Sequence, residues 1–442
     1  MNLKAVILFL MLTVRFFPAA QLPVDSLVND SNYIDSDTLR EGFVTIENIV
    51  KEVDLNAFDF IHHAANVIQM NGDDWTEIKH LYQNSHDGNF SIVHIGDSHL
   101  QADIATGHVR ALLQQEHGDG GRGLIVPFRL AGTNEPVDYR MTINSKVKSS
   151  KLLKKPWVTP VNFCGIGVTP ANKNFELIVD TEPHGESLFK FIRIYHSGKL
   201  KISGVRDLED RSMEYWIDLM PDDNYTDVFL SRMTPSLKLS LSTDDSATIH
   251  GVMLSSEENG IIYHVIGNNG ACYSTYNALA DFSSGVSTLY PDLIIVSLGT
   301  NDAFGKLSSE DFYKEVDRLV TSLKKENPES KILLTTPKEC QRGVRKGKSR
   351  KSPKTYVVVE NCHKLRNVLL KYGRDHKIPV YDWFEVAGGD GASDLWIENS
   401  LLNKDRVHNT VAGYELAAIL FHSALDRALS SSLLVDVALK DD

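Results

Sequence analysis

Five short, mostly apolar runs constrain this chain more than any other feature, because they are so unevenly spaced. They are Ser91–Ile95, Ile261–Ile266, Leu293–Leu298, Lys331–Thr335 and Pro379–Trp383. As a set they are rich in Val, Ile and Leu with little polar alternation, the pattern of strands covered on both faces. Helical signals follow them. Ser308-Ser309-Glu310-Asp311 opens an amphipathic stretch that ends near Asn327-Pro328, and Tyr356 to Tyr372 has helical spacing up to Gly373. Strands alternating with helices predict an α/β fold: a parallel, doubly wound, flavodoxin-like five-stranded sheet flanked by helices. The last three intervals between strand centres, Val265 to Val296 to Leu334 to Tyr381, are 31, 38 and 47 residues. The first, Val93 to Val265, is 172, about 130 more than one strand–helix unit needs. Phe175–Asp180, Phe189–Tyr195, Lys199–Ser203, Asp227–Arg232 and Leu237–Ser242 in that excess are strand-like, often alternating, and separated by turn residues. An inserted β-sandwich over 125–255 is therefore expected. The sheet domain is then discontinuous, 91–124 and 256–430.

Residues 1–20 have the order of a secretory signal peptide: Lys4, an apolar run from Ala5 to Val14, then Arg15-Phe16-Phe17-Pro18-Ala19-Ala20. The run is too short to cross a bilayer core of about 30 Å as a helix. An exported protein, periplasmic or extracellular and without stable membrane insertion, is the expectation. Residues 21–90 predict a helical N-terminal extension, with helical periodicity from Val44 to Met70 and around Trp75 to Gln83. A net charge of −12, from 46 Lys and Arg against 58 Asp and Glu, argues against a nucleic-acid partner. The one conspicuous shift in composition lies at 338–354, where Arg342, Arg345, Lys346, Lys348, Arg350, Lys351 and Lys354 crowd into a Gly- and Ser-containing loop. Cys164, Cys272, Cys340 and Cys362 show no CxxC pairing, so spacing supports neither a zinc site nor a redox motif. They read as free buried thiols, although an oxidising compartment leaves three connectivities open for two disulfides. No metal site or cofactor is expected.

Four blocks at strand ends carry chemistry. Gly96-Asp97-Ser98-His99 follows the first strand, at the carboxyl edge where open α/β sheets place their sites. Gly267-Asn268-Asn269-Gly270 ends the second strand and Gly299-Thr300-Asn301-Asp302 the third. A backbone N–H of glycine and an asparagine carboxamide can join the Ser98 N–H as donors to an oxyanion. Asp405-Arg406-Val407-His408 comes near the C-terminus. A histidine three residues after an aspartate can take a serine proton while the carboxylate sets its tautomer. Most of the 16 histidines must be structural. His94 and His264, inside strands, read as core or sheet-face residues.

In identity and order these blocks resemble the SGNH (GDSL-like) hydrolase superfamily. The resemblance implies Ser98 as nucleophile, His408 as base, Asp405 as orienting acid, and Ser98, Gly270 and Asn301 as oxyanion donors, with Gly96, Asp97, Gly299 and Asp302 supporting the turns. Gly96-Asp97-Ser98-His99-Leu100-Gln101-Ala102-Asp103, Gly118-Asp119-Gly120-Gly121-Arg122-Gly123 and the insertion look more narrowly like periplasmic peptidoglycan O-acetylesterases, whose hydrolase domain carries a carbohydrate-binding-like β-sandwich. This narrower resemblance implies a secreted serine esterase acting on an O-acetylated cell-wall glycan, with the 6-O-acetyl muramoyl residues of peptidoglycan as its expected substrate. The same residues suit a polysaccharide O-acetyltransferase or an acetylxylan-type esterase, and a non-catalytic glycan-binding protein is the alternative of a different class. Trp157, Tyr195, Trp216 and Tyr225 of the insertion are candidates to stack on sugars, but read better as sandwich core.

Overall fold

A computed structural model of the 442-residue chain describes residues 57–181, 187–208, 217–221, 224–345, 347 and 354–431. The expected signal peptide and the first part of the N-terminal extension lie outside these residues. The central sheet has six strands in the order Ile68–Gln69, Val380–Tyr381, Lys331–Thr335, Leu293–Ser297, Phe90–Gly96 and Ile261–Gly267. The last five are mutually parallel. Ile68–Gln69 runs antiparallel at the edge, Ile68 opposite Tyr381, so the sheet is mixed and one strand wider than the five-stranded parallel sheet expected. A two-residue strand has too little pattern to be read from sequence.

Alternation along each strand divides the apolar side chains between two cores. Ile92, Tyr263, Ile295 and Leu333 face helices Ile104–His117 and Val411–Ser430. Val93, Ile266, Val296 and Leu334 face helices Ser309–Glu326 and Asn361–His376. Burial on both faces is what the unbroken apolar runs demand, and each such side chain contributes about 1.5–3 kcal/mol. Ser308 caps the first of the latter helices by accepting from Asp311 N. The helix expected from Tyr356 begins only at Asn361, because Lys354–Val358 is a strand paired with Gln341–Arg345. The basic segment is thus a hairpin rather than an open loop; most of its tip lies outside the described residues. In the N-terminal extension Thr76–Gln83 is a helix as expected, whereas 57–70 forms turns, a three-residue 3-10 helix at His63–Ala65 and the edge strand in place of a longer helix.

Between the first two central parallel strands lie two further sheets. One has four strands, in the order Arg140–Ile143, Asn174–Asp180, Ser236–Ser242 and Lys201–Asp207. The other has seven, including Phe189–Ser197 and Thr248–Ser255, the latter paired with Gly123–Ile125. Leu177, Val205 and Leu239 of the four-stranded sheet share a core with Ile192, Ile194, Val252 and Leu254 of the seven-stranded one. The opposite face of the seven-stranded sheet packs in part against the central domain. Tyr195 and Met253 join Phe163 and Phe282 in the core of the central sheet, and Arg193 donates to Thr288 O at 2.8 Å while pairing with Asp227. Of the aromatic candidates, Tyr195 is buried, Tyr225 lies under the Arg193 guanidinium, Trp157 donates to Lys151 O, and Trp216 lies outside the described residues.

Candidate active site

Strand Phe90–Gly96 ends with Gly96 against its neighbours; a Cβ there would stand 2.6 Å from Leu100 and 3.0 Å from Ser297 O. The chain then turns through Asp97, whose carboxylate accepts from His99 N at 2.9 Å and so starts a short helix, Ser98–Gln101. This places the Ser98 hydroxyl at the carboxyl edge of the sheet. His408, 310 residues later, reaches it with Nε2 2.8 Å from Oγ. Its Nδ1 is 2.7 Å from Asp405 Oδ2, and Asp405 Oδ1 also accepts from Val407 N and His408 N. Burial works against the Asp405 charge, but these donors hold its carboxyl below the ordinary aspartate value. Chemically, such a chain lets Nε2 take the hydroxyl proton while the ionised carboxylate keeps Nδ1 protonated.

Gly270 has φ +83°, which glycine adopts without strain, and its N–H donates to no acceptor among the described residues. Asn301 is placed differently from a free oxyanion donor: its Nδ2 donates to Asp97 Oδ2 at 3.0 Å and to Ala271 O at 3.1 Å. Donation to a third atom requires sharing or releasing one of these. Gly299, at φ +124°, precedes the short helix that carries Asn301 and Asp302. Asp97 and Asp302 are both buried; burial raises Asp97 to about 6 and Asp302 to about 7, the latter also feeling Asp97. The nine residues singled out from sequence thus stand on the turns at one edge of the sheet, and Ser98, His408 and Asp405 form one hydrogen-bonded chain.

Several supporting residues were not evident from sequence. Gln101 donates to Thr133 Oγ1 and Asn134 and accepts from Asn269 N at 2.8 Å, so the Ser98 helix grips the Gly270 turn through the start of the added sheets. His99 packs beside His408, ring centroids 5.2 Å apart, with Nδ1 3.0 Å from Tyr414 OH. Burial, reinforced by the charges of His408 and Lys338, lowers its pKa to about 3, leaving it neutral. Asp103 accepts from Arg110 and Arg122, which also pair with Asp138, and this buried cluster ties the 118–123 turn to the helix behind Ser98. No spacing rule links these residues, and Gln101 sits within an octet whose only sequence signal was the resemblance. His94 and His264 are core residues: His94 bonds to Tyr263 OH and Ser297 Oγ, and His264 accepts from Leu124 N. Away from the site, Glu116, His117 and Asp426 bring potential ligand atoms within 4.8 Å of one another.

Residues 252–416 match the model of the GDSL-like Lipase/Acylhydrolase family. The chain carries a GDSL-like hydrolase domain. Gly270, Asn301, Asp405 and His408 fall inside the matched region; Ser98 stands before it, beyond the added sheets. Among solved structures, "Peptidoglycan O-acetylesterase in action, 5 min" is similar with a TM-score of 0.66 at 18% identity, over 82% of this chain and 98% of that one. The lipase/acylhydrolase from Enterococcus faecalis (TM-score 0.28, 19% identity, 38% of this chain and 78% of that one) and the acetyl xylan esterase AlAXEase (0.29, 20%, 37% and 81%) are also similar. No curated protein matches the chain. The first likeness concerns the fold alone, a central sheet with additional sheets, and the domain that the family model matches is that of a serine hydrolase. No helix among the described residues is long and apolar enough to cross a membrane.

Proposed function

We propose that this hydrolase is an exported serine esterase that removes O-acetyl groups from a cell-wall polysaccharide, with peptidoglycan acetylated at the muramoyl 6-hydroxyl as its substrate. The observation that carries the reading is the Asp405–His408–Ser98 chain, with contacts of 2.7 and 2.8 Å. Ser98 Oγ attacks the acetyl carbonyl carbon as His408 Nε2 takes its proton. The carbonyl oxygen becomes an oxyanion facing Ser98 N–H, Gly270 N–H and, once it shares a hydrogen, Asn301 Nδ2. Collapse breaks the ester C–O bond, and His408 returns the proton to the departing sugar oxygen. Water then attacks the acetyl-serine with His408 again as base, releasing acetate and restoring Ser98. Every step uses side chains and backbone N–H groups of this domain together with water, and none calls for a cofactor.

The choice of peptidoglycan is supported by the likeness over nearly the whole length of a peptidoglycan O-acetylesterase. We assign substrate recruitment to the sheets spanning about 125–255, which reach the site: Leu153 lies 3.5 Å from where a Cβ on Gly270 would stand. The test is acetate release from O-acetylated peptidoglycan and from acetylated xylan by purified protein, with Ser98→Ala as control. Release from peptidoglycan at 10-fold or greater kcat/KM over xylan is expected; faster release from xylan would overturn the substrate, and equal release by Ser98→Ala the mechanism.

A further inference from the structure

Cys340 and Cys362 are 22 residues apart in sequence, both buried, and their sulfurs lie 3.3 Å from each other. What lies between them is the basic hairpin, Gln341–Arg345 paired with Lys354–Val358. The two cysteines close its root: Val359 N donates to Cys340 O, and Cys362 N to Val359 O, each at 2.9 Å.

The hairpin in turn grips the loop that presents Asp405. Gln341 N donates to Arg406 O at 3.1 Å, Arg406 Nη1 donates back to Gln341 Oε1 at 2.7 Å, and Tyr356 OH donates to Lys404 O at 2.8 Å. The Arg406 guanidinium sits 4.5 Å from the centre of the Tyr356 ring. Both neighbours of Asp405 are therefore held from the hairpin. Arg406 has φ +65°, a left-handed conformation that a non-glycine residue keeps only when its surroundings enforce it.

One more buried group points to the same place. Lys338 is 6% exposed, and its ammonium has no hydrogen-bond partner among the described residues; it lies 4.4 Å from the Trp396 ring centre. Its charge acts on both sulfurs. The hydrogen bond from Cys340, aided by that ammonium, pulls the Cys362 thiol below its ordinary value, the condition for thiolate chemistry.

We propose that Cys340 and Cys362 are joined as a disulfide in the oxidised protein, and that this crosslink at the root of the hairpin positions the Asp405 loop. The oxidant is a small disulfide or a disulfide-bearing oxidoreductase, the kind present where an exported protein folds. One protein thiolate attacks a sulfur of the oxidant, forming a mixed disulfide and releasing one thiol. The second, on losing its proton, displaces the other half. The protein gives up two hydrogens and two electrons, and the oxidant leaves as two thiols.

The crosslink itself does not depend on the esterase reading; its effect on turnover does. Full-length protein refolded with glutathione disulfide, then denatured and alkylated with N-ethylmaleimide, should gain two labels, on Cys164 and Cys272, with Cys340 and Cys362 recovered in one crosslinked peptide. Four labels, or any other pairing, would overturn the crosslink. For the positioning role, hydrogen exchange of amides 403–408 is followed in oxidised protein and after reduction with a phosphine, beside kcat on a small acetate ester. Reduction should speed that exchange about 10-fold or more and lower kcat with KM little changed, and Cys340→Ala/Cys362→Ala should match reduced protein and ignore the reductant. Equal exchange in the two states would overturn the positioning role. Loss of esterase activity in both states, with the exchange difference intact, would count against the functional reading alone.

Discussion

Replacing Asn301 with alanine tests two assignments at once, because its carboxamide serves a buried carboxylate as well as the proposed oxyanion. Asp97 is 1% exposed, and burial has already raised it from 3.8 to about 6 against the opposing hydrogen bonds of His99 N and Asn301. A hydrogen bond to a charged group contributes about 1.5–3 kcal/mol, equivalent to about 1–2 pKa units. Asp97 in Asn301→Ala should therefore titrate at about 7–8. The folded-state value exceeds the unfolded one, so ionisation of Asp97 costs stability, and that cost accrues as pH rises from the unfolded to the folded pKa. In wild type it is complete near pH 6; in the variant it keeps growing above that. At pH 5 the two proteins should differ mainly by the lost bond to Ala271 O, about 1 kcal/mol, and at pH 8 by about 2–4 kcal/mol. Urea unfolding at pH 5, 6, 7 and 8 measures this difference. A destabilisation that is the same at every pH would refute the Asn301–Asp97 coupling. Separately, kcat/KM at pH 8 should fall about 100- to 1000-fold if Nδ2 donates to the oxyanion, and an unchanged value would remove Asn301 from that role.

Ser98→Ala should abolish hydrolysis of a small activated acetate ester while the circular dichroism spectrum is retained, and His408→Ala should lose nearly as much, since members of such a chain act as a unit; retained turnover in folded Ser98→Ala would end the assignment. Arg122→Met leaves Asp103 and Asp138 short of a buried partner and should lower unfolding stability by about 3–5 kcal/mol, read by chemical denaturation. Excision of 125–255 strips Phe163, Ile166, Tyr195 and Met253 from the core of the central sheet; the shortened chain should be insoluble or should unfold at much lower denaturant, and a soluble, equally stable product would show that the sheets contribute little to that core.

The apolar runs determined the parallel strands on their own, because a strand buried on both faces has few other compositions open to it. The interval from Val93 to Val265 likewise announced extra structure, and the alternation of Phe175–Asp180 and Leu237–Ser242 its β character. The strand-end glycines were legible because those turns restrict side-chain choice: Gly96 has no room for a Cβ and Gly270 needs a positive φ. Contacts between distant segments were decided only by tertiary structure. Nothing local pairs Ile68 with Tyr381, spends Asn301 on Asp97, or brings Gln101 to Asn269. The segment 356–358 shows why: its helical spacing was overridden by pairing with Gln341–Gly343, and that pairing, closed by two cysteines whose spacing carries no motif, sets the hairpin on the loop of Asp405. Local pattern records which face of an element is apolar; which partner covers that face depends on the whole chain.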